Sequence, residues 1–106
     1  MKILHDPVFN AEVYLTLGHL PGQVLEAFVQ PEDFTKKGVT IRQYRVHLTN
    51  PKNFYGLMHE SLHLARHIMQ DRGIPFTAEN DEVVAYIQDH WFQTLWREVN
   101  KRKAKK

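Results

Sequence analysis

Residues 50–75 read NPKNFYGLMHESLHLARHIMQDRGIP. Leu57, Met58, Leu62, Ala65, Ile68 and Met69 recur at the spacing of one helix face. Asn50-Pro51 has the chemistry of an N-cap followed by a first helical residue. Asp71-Arg72-Gly73-Ile74-Pro75 is a stop, with glycine where a left-handed residue ends a helix and proline just beyond. The stretch therefore predicts an ordered amphipathic helix of about five or six turns. On that helix His59-Glu60-Ser61-Leu62-His63 spells HExxH. Histidines at i and i+4 project from one side, close enough to share a small cation. The glutamate beside the first histidine is placed to act as a general base rather than as a ligand. Eighteen residues after His63 stands Glu82, a third ligand from a later element. Glu79, one turn earlier, is its rival; the spacing and the residues after Glu82 favour Glu82.

Two histidines, one glutamate and an open fourth position suit Zn2+. Water bound to such an ion becomes a nucleophile near neutral pH. Glu60 would take its proton and pass it on to the leaving amine. The bland alternative is an amphipathic helix carrying two exposed histidines. The ordered flanks and the added glutamate weigh against it.

Outward from this helix, the chain reads as one small α+β domain. Phe9, Ala11, Val13, Leu15 and Leu17 alternate with polar residues, as in a half-buried strand. Val24, Leu25 and Phe28 suggest a short helix stopped by Pro31, and residues 31–38 read as a loop. Val39–Leu48 is a second strand, rich in β-branched and aromatic residues. Its alternation slips between Ile41 and Tyr44, which a bulge near Arg42-Gln43 would reconcile. A turn over 73–78 leads to a long last helix from Glu79 to Lys101. The expected architecture is a small twisted sheet with the HExxH helix and a long C-terminal helix packed on it.

The chain has 106 residues and no cysteine, so one domain without disulfides, thiolate metal sites or a cysteine nucleophile is expected. The opening MKILHDPVF lacks the apolar core of a signal peptide. No apolar run reaches spanning length, so no membrane role and a cytoplasmic location are expected. The net charge of +2 conceals a division. Lys101, Arg102, Lys103, Lys105 and Lys106 form a basic tail on an acidic body. Residues 1–100 are thus expected to form the domain and 101–106 a solvated tail. The acidic body disfavours nucleic acid as a partner.

HExxH-x18-E resembles the gluzincin division of zinc metallopeptidases, whose third ligand is a glutamate on a later helix. Glu82-Val83-Val84-Ala85 is similar to the family's ExxA form. Tyr86 stands where thermolysin-like members carry an acid, and the GxMEN-type motif of large aminopeptidases is absent. The size resembles that of the minigluzincins and of small metallopeptidases attributed to tailed bacteriophages. Asp71–Phe76 followed by Glu82–Tyr86 is most similar to the phage group, which would place the protein in a host cytoplasm. His67 gives HExxHxxxH, as in a group of repressor-regulating relatives. Metzincins are excluded by Arg66 and Met69. The resemblance implies a zincin-like fold, His59, His63 and Glu82 as metal ligands, and Glu60 as catalytic base. It also implies an edge strand beside the motif helix that receives peptide as an added strand, for which Val39–Leu48 is the candidate.

Among the remaining residues, Asp89 could orient a ligand histidine. Tyr86 and His90 could polarise a scissile carbonyl, and Trp91 and Trp96 read as core. His67 lies too far along the helix from His59 to join it on one ion. The leading expectation is a zinc-dependent peptidase acting on a peptide or protein substrate. The alternative is a non-catalytic zinc-binding module used in assembly or regulation. A chain this short leaves room for a second lobe supplied by a second copy or another protein partner.

Overall fold

A computed structural model of the chain describes residues 2–6, 8–22 and 25–104. The elements are β1 (Leu4–Asp6), β2 (Ala11–Leu17), β3 (Ala27–Lys36), β4 (Val39–Leu48), α1 (Phe54–Asp71), a 3-10 turn (Ala78–Asn80) and α2 (Asp81–Ala104). The strands form one mixed sheet in the order β1-β2-β4-β3, with β2 and β4 parallel and the outer pairs antiparallel. This is a small α+β fold with a long last helix. Among the described residues no helix is long and apolar enough to cross a membrane.

The region expected to be a short helix and a loop is instead β3. Of that expectation, Val24 lies outside the described residues. Lys37 (φ 52°) and Gly38 (φ 79°) make a two-residue turn with both φ positive, which matches the right-handed twist of a hairpin. Pairing then runs without a break from Lys36↔Val39 to Ala27↔Leu48. Pro31 is tolerated because β3 is an edge strand. The unbroken register also leaves no place for the expected bulge. Val39 and Ile41 share the face of Gln43 and Arg45, while Tyr44, Val46 and Leu48 point into the core. The hairpin tip extends beyond β2, whose pairing with β4 begins at Gln43, so its apolar residues stay exposed. Nor is β4 the edge strand: β2 and β3 flank it, and β3 takes the edge that packs against α1.

Helix α1 begins three residues later than Asn50-Pro51 predicts. Asn50 accepts from Lys52 N at 2.9 Å in a preceding turn, and Asn53 caps the helix by accepting from Gly56 N at 3.0 Å. A Cβ on Gly56 would collide with that capping side chain. The stop falls where expected. Gly73 (φ 69°) follows Arg72, and Ile74 N donates to Met69 O at 2.9 Å, the pattern of a left-handed helix end.

Both helices join one core with the sheet. Ala11, Val13, Leu15, Tyr44, Val46 and Leu48 meet Leu57, Leu64, Ala65 and Ile68 of α1 and Ile87, Trp91, Leu95 and Val99 of α2. On the opposite sheet face His47 is fully buried, stacked on Phe28 at 5.0 Å and bonded to Thr16 Oγ1 at 2.7 Å. Burial holds its pKa below the ordinary histidine value, with the Arg45 charge acting in the same direction against a hydrogen bond to the Gly18 backbone, which favours the protonated ring.

The expected boundary at Asn100 falls inside α2, which continues through Ala104. Arg102 donates to Leu15 O at 2.8 Å and to Glu98 Oε1 at 3.3 Å. Burial would raise the Glu98 pKa, but hydrogen bonds from Arg102 and Lys2 outweigh it and hold the carboxyl below its usual range. The start of the basic segment is therefore part of the fold. Lys105 and Lys106 lie outside the described residues.

Two outcomes follow. Arg102→Ala leaves the Leu15 carbonyl and a nearly buried carboxylate short of a donor, and should cost about 1–3 kcal/mol. Chemical denaturation measures this, and an unchanged midpoint would remove Arg102 from the fold. For His47, the unfolded chain binds the proton that the folded chain resists. Its contribution is complete above the unfolded value of 6.5 and is lost as pH falls below it. The melting temperature should therefore drop between pH 7.5 and pH 5, and His47→Gln should flatten part of that slope. His67, also lowered chiefly by burial, supplies slope of the same sign.

Candidate metal centre

The core-facing stripe of α1 contains Leu57, Ser61, Leu64 and Ile68. At about 100° per residue, His59 lies about 180° from Ile68, and His63 lies about 40° further round from His59. The pair therefore faces outward, with His59 exposed and His63 half-buried. Their Nε2 atoms approach to 3.0 Å and their rings meet edge to face at 4.6 Å. Without a cation, one ring must donate Nε2–H to the other.

That separation bears on whether zinc fits. A tetrahedral ion with nitrogen ligands at about 2.0–2.1 Å sets them about 3.3 Å apart. The pair stands within a few tenths of an ångström of this, so the spacing of these two donors suits the ion. The third does not stand with them. Among the described residues, no group of three or more His, Cys, Asp or Glu side chains is gathered as a metal site. Glu82 is exposed in the first turn of α2, and Glu79 is exposed in the 3-10 turn before it. Nine residues separate Glu82 from the fully buried Trp91, which puts Glu82 on the outer side of α2.

Glu60 behaves differently from the pair. It is 9% exposed, and at about 100° per residue it lies about 80° from Ile68, on the flank that also carries His67 and Asp71. His67 follows on that side, its ring 6.3 Å from that of Tyr44. Burial lowers the His67 pKa, opposed by the nearby Asp71 carboxylate. Tyr44 donates to Asp71, and burial together with that carboxylate pushes its pKa up to about 12. Arg42 completes the group, reaching Asp33 at 2.7 Å and Asp71 at 3.0 Å.

The other anticipated helpers lie elsewhere. Asp89 is exposed and accepts from Gln93 Nε2 at 3.0 Å. Tyr86 is exposed, 6.2 Å from Phe9 and stacked on His90. Trp91 is core, as expected, while Trp96 is half-buried. Sequence reasoning missed the Arg42–Asp71–Tyr44 group, because its members come from β4 and from the end of α1. It also missed Asp6, which is fully buried with Oδ1 accepting from Val8 N at 2.9 Å. A lone Asp before Pro7 carries no sequence signal of burial.

Comparison of the chain with protein-family models, with curated proteins and with solved structures finds no match.

The centre can be tested ligand by ligand. Protein purified without added metal should contain zinc near one per chain by elemental analysis, and His63→Ala should remove it. Glu82→Gln should weaken zinc strongly and Glu79→Gln only slightly. The opposite order would assign the third position to Glu79.

Proposed function

We propose that this chain is a zinc-dependent peptidase of gluzincin type that acts on peptide or protein substrates in the cytoplasm. His59, His63 and Glu82 would hold the ion, and Glu60 would serve as general base. The observation that carries this reading is the HExxH pair on an ordered helix, with two Nε2 atoms 3.0 Å apart on its outer side. Zinc held there would supply a Lewis acid and an acidified water.

The chain's own residues have separate tasks. His59 and His63 present nitrogen donors. Glu60, next in sequence to one of them and nearly buried, provides a carboxylate that can take a proton and return it to the leaving amine. Glu82 must come from the start of α2, so its arrival requires the 72–80 connection, with Gly73 in the left-handed conformation, to re-seat that first turn. Edge strand β3 packs against α1 and has one side free of strand partners, so an extended peptide could lie along it.

Glu60→Gln should retain zinc and lose turnover by about 10²- to 10⁴-fold. Degradation of unfolded proteins and peptide libraries, with chelator controls, measures this. Equal cleavage by wild type and variant would show that another protease is responsible. Zinc at full occupancy with no cleavage by wild type would favour a non-catalytic binding module.

A further inference from the structure

The outer surface shared by α1 and α2 carries exposed aromatic side chains. Tyr55 is 80% exposed, and Phe54 and Met58 are each more than one third exposed. The Phe54 ring meets Tyr55, Phe92 and Trp96 edge to face at 5.7, 4.9 and 5.2 Å. Met58, Ala85 and Phe92 border a shallow cavity of about 220 Å³ on the same surface. Aromatic residues and methionine are enriched where proteins meet.

Beside this patch runs a charged line along α2. Asp89 Oδ1 accepts from Gln93, and Gln93 Oε1 accepts from Arg97 at 3.3 Å. Residues 79–89 contain four acids and no base, Glu79, Asp81, Glu82 and Asp89. Residues 97–106 contain six bases and one acid. The helix dipole favours this order of signs within one helix. It gives no reason for an adjoining exposed aromatic patch.

We propose that this face is the interface of a homodimer in which two α2 helices pack antiparallel across Gln93. Asp89 and Arg97 each lie four residues from Gln93, so a two-fold axis there sets Asp89 opposite the partner's Arg97, twice per dimer. Lys101 then falls within a turn of the partner's Glu82. The same axis brings the aromatic flanks of both copies together on one side of the helix pair. A parallel pair would oppose Asp89 to Asp89 and Arg97 to Arg97. A helix of 24 residues is about 36 Å long and about 10–12 Å across, so α2 alone offers roughly 400 Å² per copy, and the aromatic flank on α1 extends it toward the ~800 Å² of a standard interface. The acidic half of α2 argues against an anionic membrane as the occupant. The Asp89–Arg97 pairing and the aromatic flank involve none of His59, Glu60 and His63.

Light scattering and sedimentation equilibrium on the full chain test it. Wild type should run at twice the chain mass at micromolar concentration. Arg97→Glu and Asp89→Arg should each weaken association by tenfold or more, since like charges then meet twice. Combining Asp89→Arg with Arg97→Glu should restore the dimer. Tyr55→Glu should weaken it without altering the charged line, and circular dichroism checks that every variant is folded. A wild type that stays monomeric at about 100 μM would overturn the proposal and leave the patch to a different protein. So would an Arg97→Glu dimer of unchanged affinity, or a folded double variant that stays monomeric.

Discussion

Helix α1 is buried along two directions at once, and this constraint sets nearly everything else. One flank, with Leu57, Leu64 and Ile68, lies in the core shared with the sheet, and Ala65 and Met69 extend that core toward α2. Each such side chain contributes on the order of 1.5–3 kcal/mol relative to exposure. Rotating α1 would give up several of them together, so its azimuth is fixed. The outward side that remains holds His59, His63, Arg66 and Gln70, with Tyr55 and Met58 beside them toward α2. The histidine pair is thus oriented by apolar packing on the other side of the helix.

The far end of α1 is held by a polar clamp. Arg42 on β4 bridges Asp33 on β3 and Asp71 at the last turn of α1, and Tyr44 donates to the same aspartate. These groups are partly exposed, so the ion pairs add little stability individually. Their value is positional, since they tie one hairpin to one helix end. At the near end the Asn53 cap fixes where α1 begins, and Gly56 leaves the space that cap needs. Between cap and clamp, the distance of the HExxH segment from edge strand β3 is set.

What the sequence disclosed follows from which signals are local. The apolar period of α1, its glycine stop and the β-branched run of β4 are local patterns, and the structure has them at the expected places. Strand β3 was hidden because Ala27–Lys36 has no clean alternation, and Pro31 reads as a breaker unless the strand is known to be at an edge. The Lys37-Gly38 pair was the available clue, though lysine is a poor advertisement for positive φ. Asn50 masked Asn53 because both are good caps, and Pro51 made the earlier one look better. Of the candidate site, the spacing of His59 and His63 was legible because one helix carries both. The relation of Glu82 to them was not, since it depends on the azimuth of a second helix across a nine-residue connection.

That azimuth sets how the candidate ligands are disposed. Going round α1 from His59, His63 comes after about 40° and Glu60 after about 100°. The donors and the acid therefore form an arc that turns from solvent toward the sheet, on the side of the α1–β3 seam. Glu82 lies on the outer surface of α2, away from its buried stripe of Ile87, Trp91 and Leu95. Packing energy favours this placement, because turning Glu82 toward α1 would swing that apolar stripe out of the core. On the proposed zinc reading, Glu82 would reach the ion by local unwinding of the first α2 turn rather than by rotation of the whole helix. The first turn is suited to this. It follows a short 3-10 segment with no buried residue, and its first residues, Asp81 and Glu82, are themselves exposed. On that reading metal affinity and order at the start of α2 would be linked, and the cation that completes the site would also fix the length of the helix.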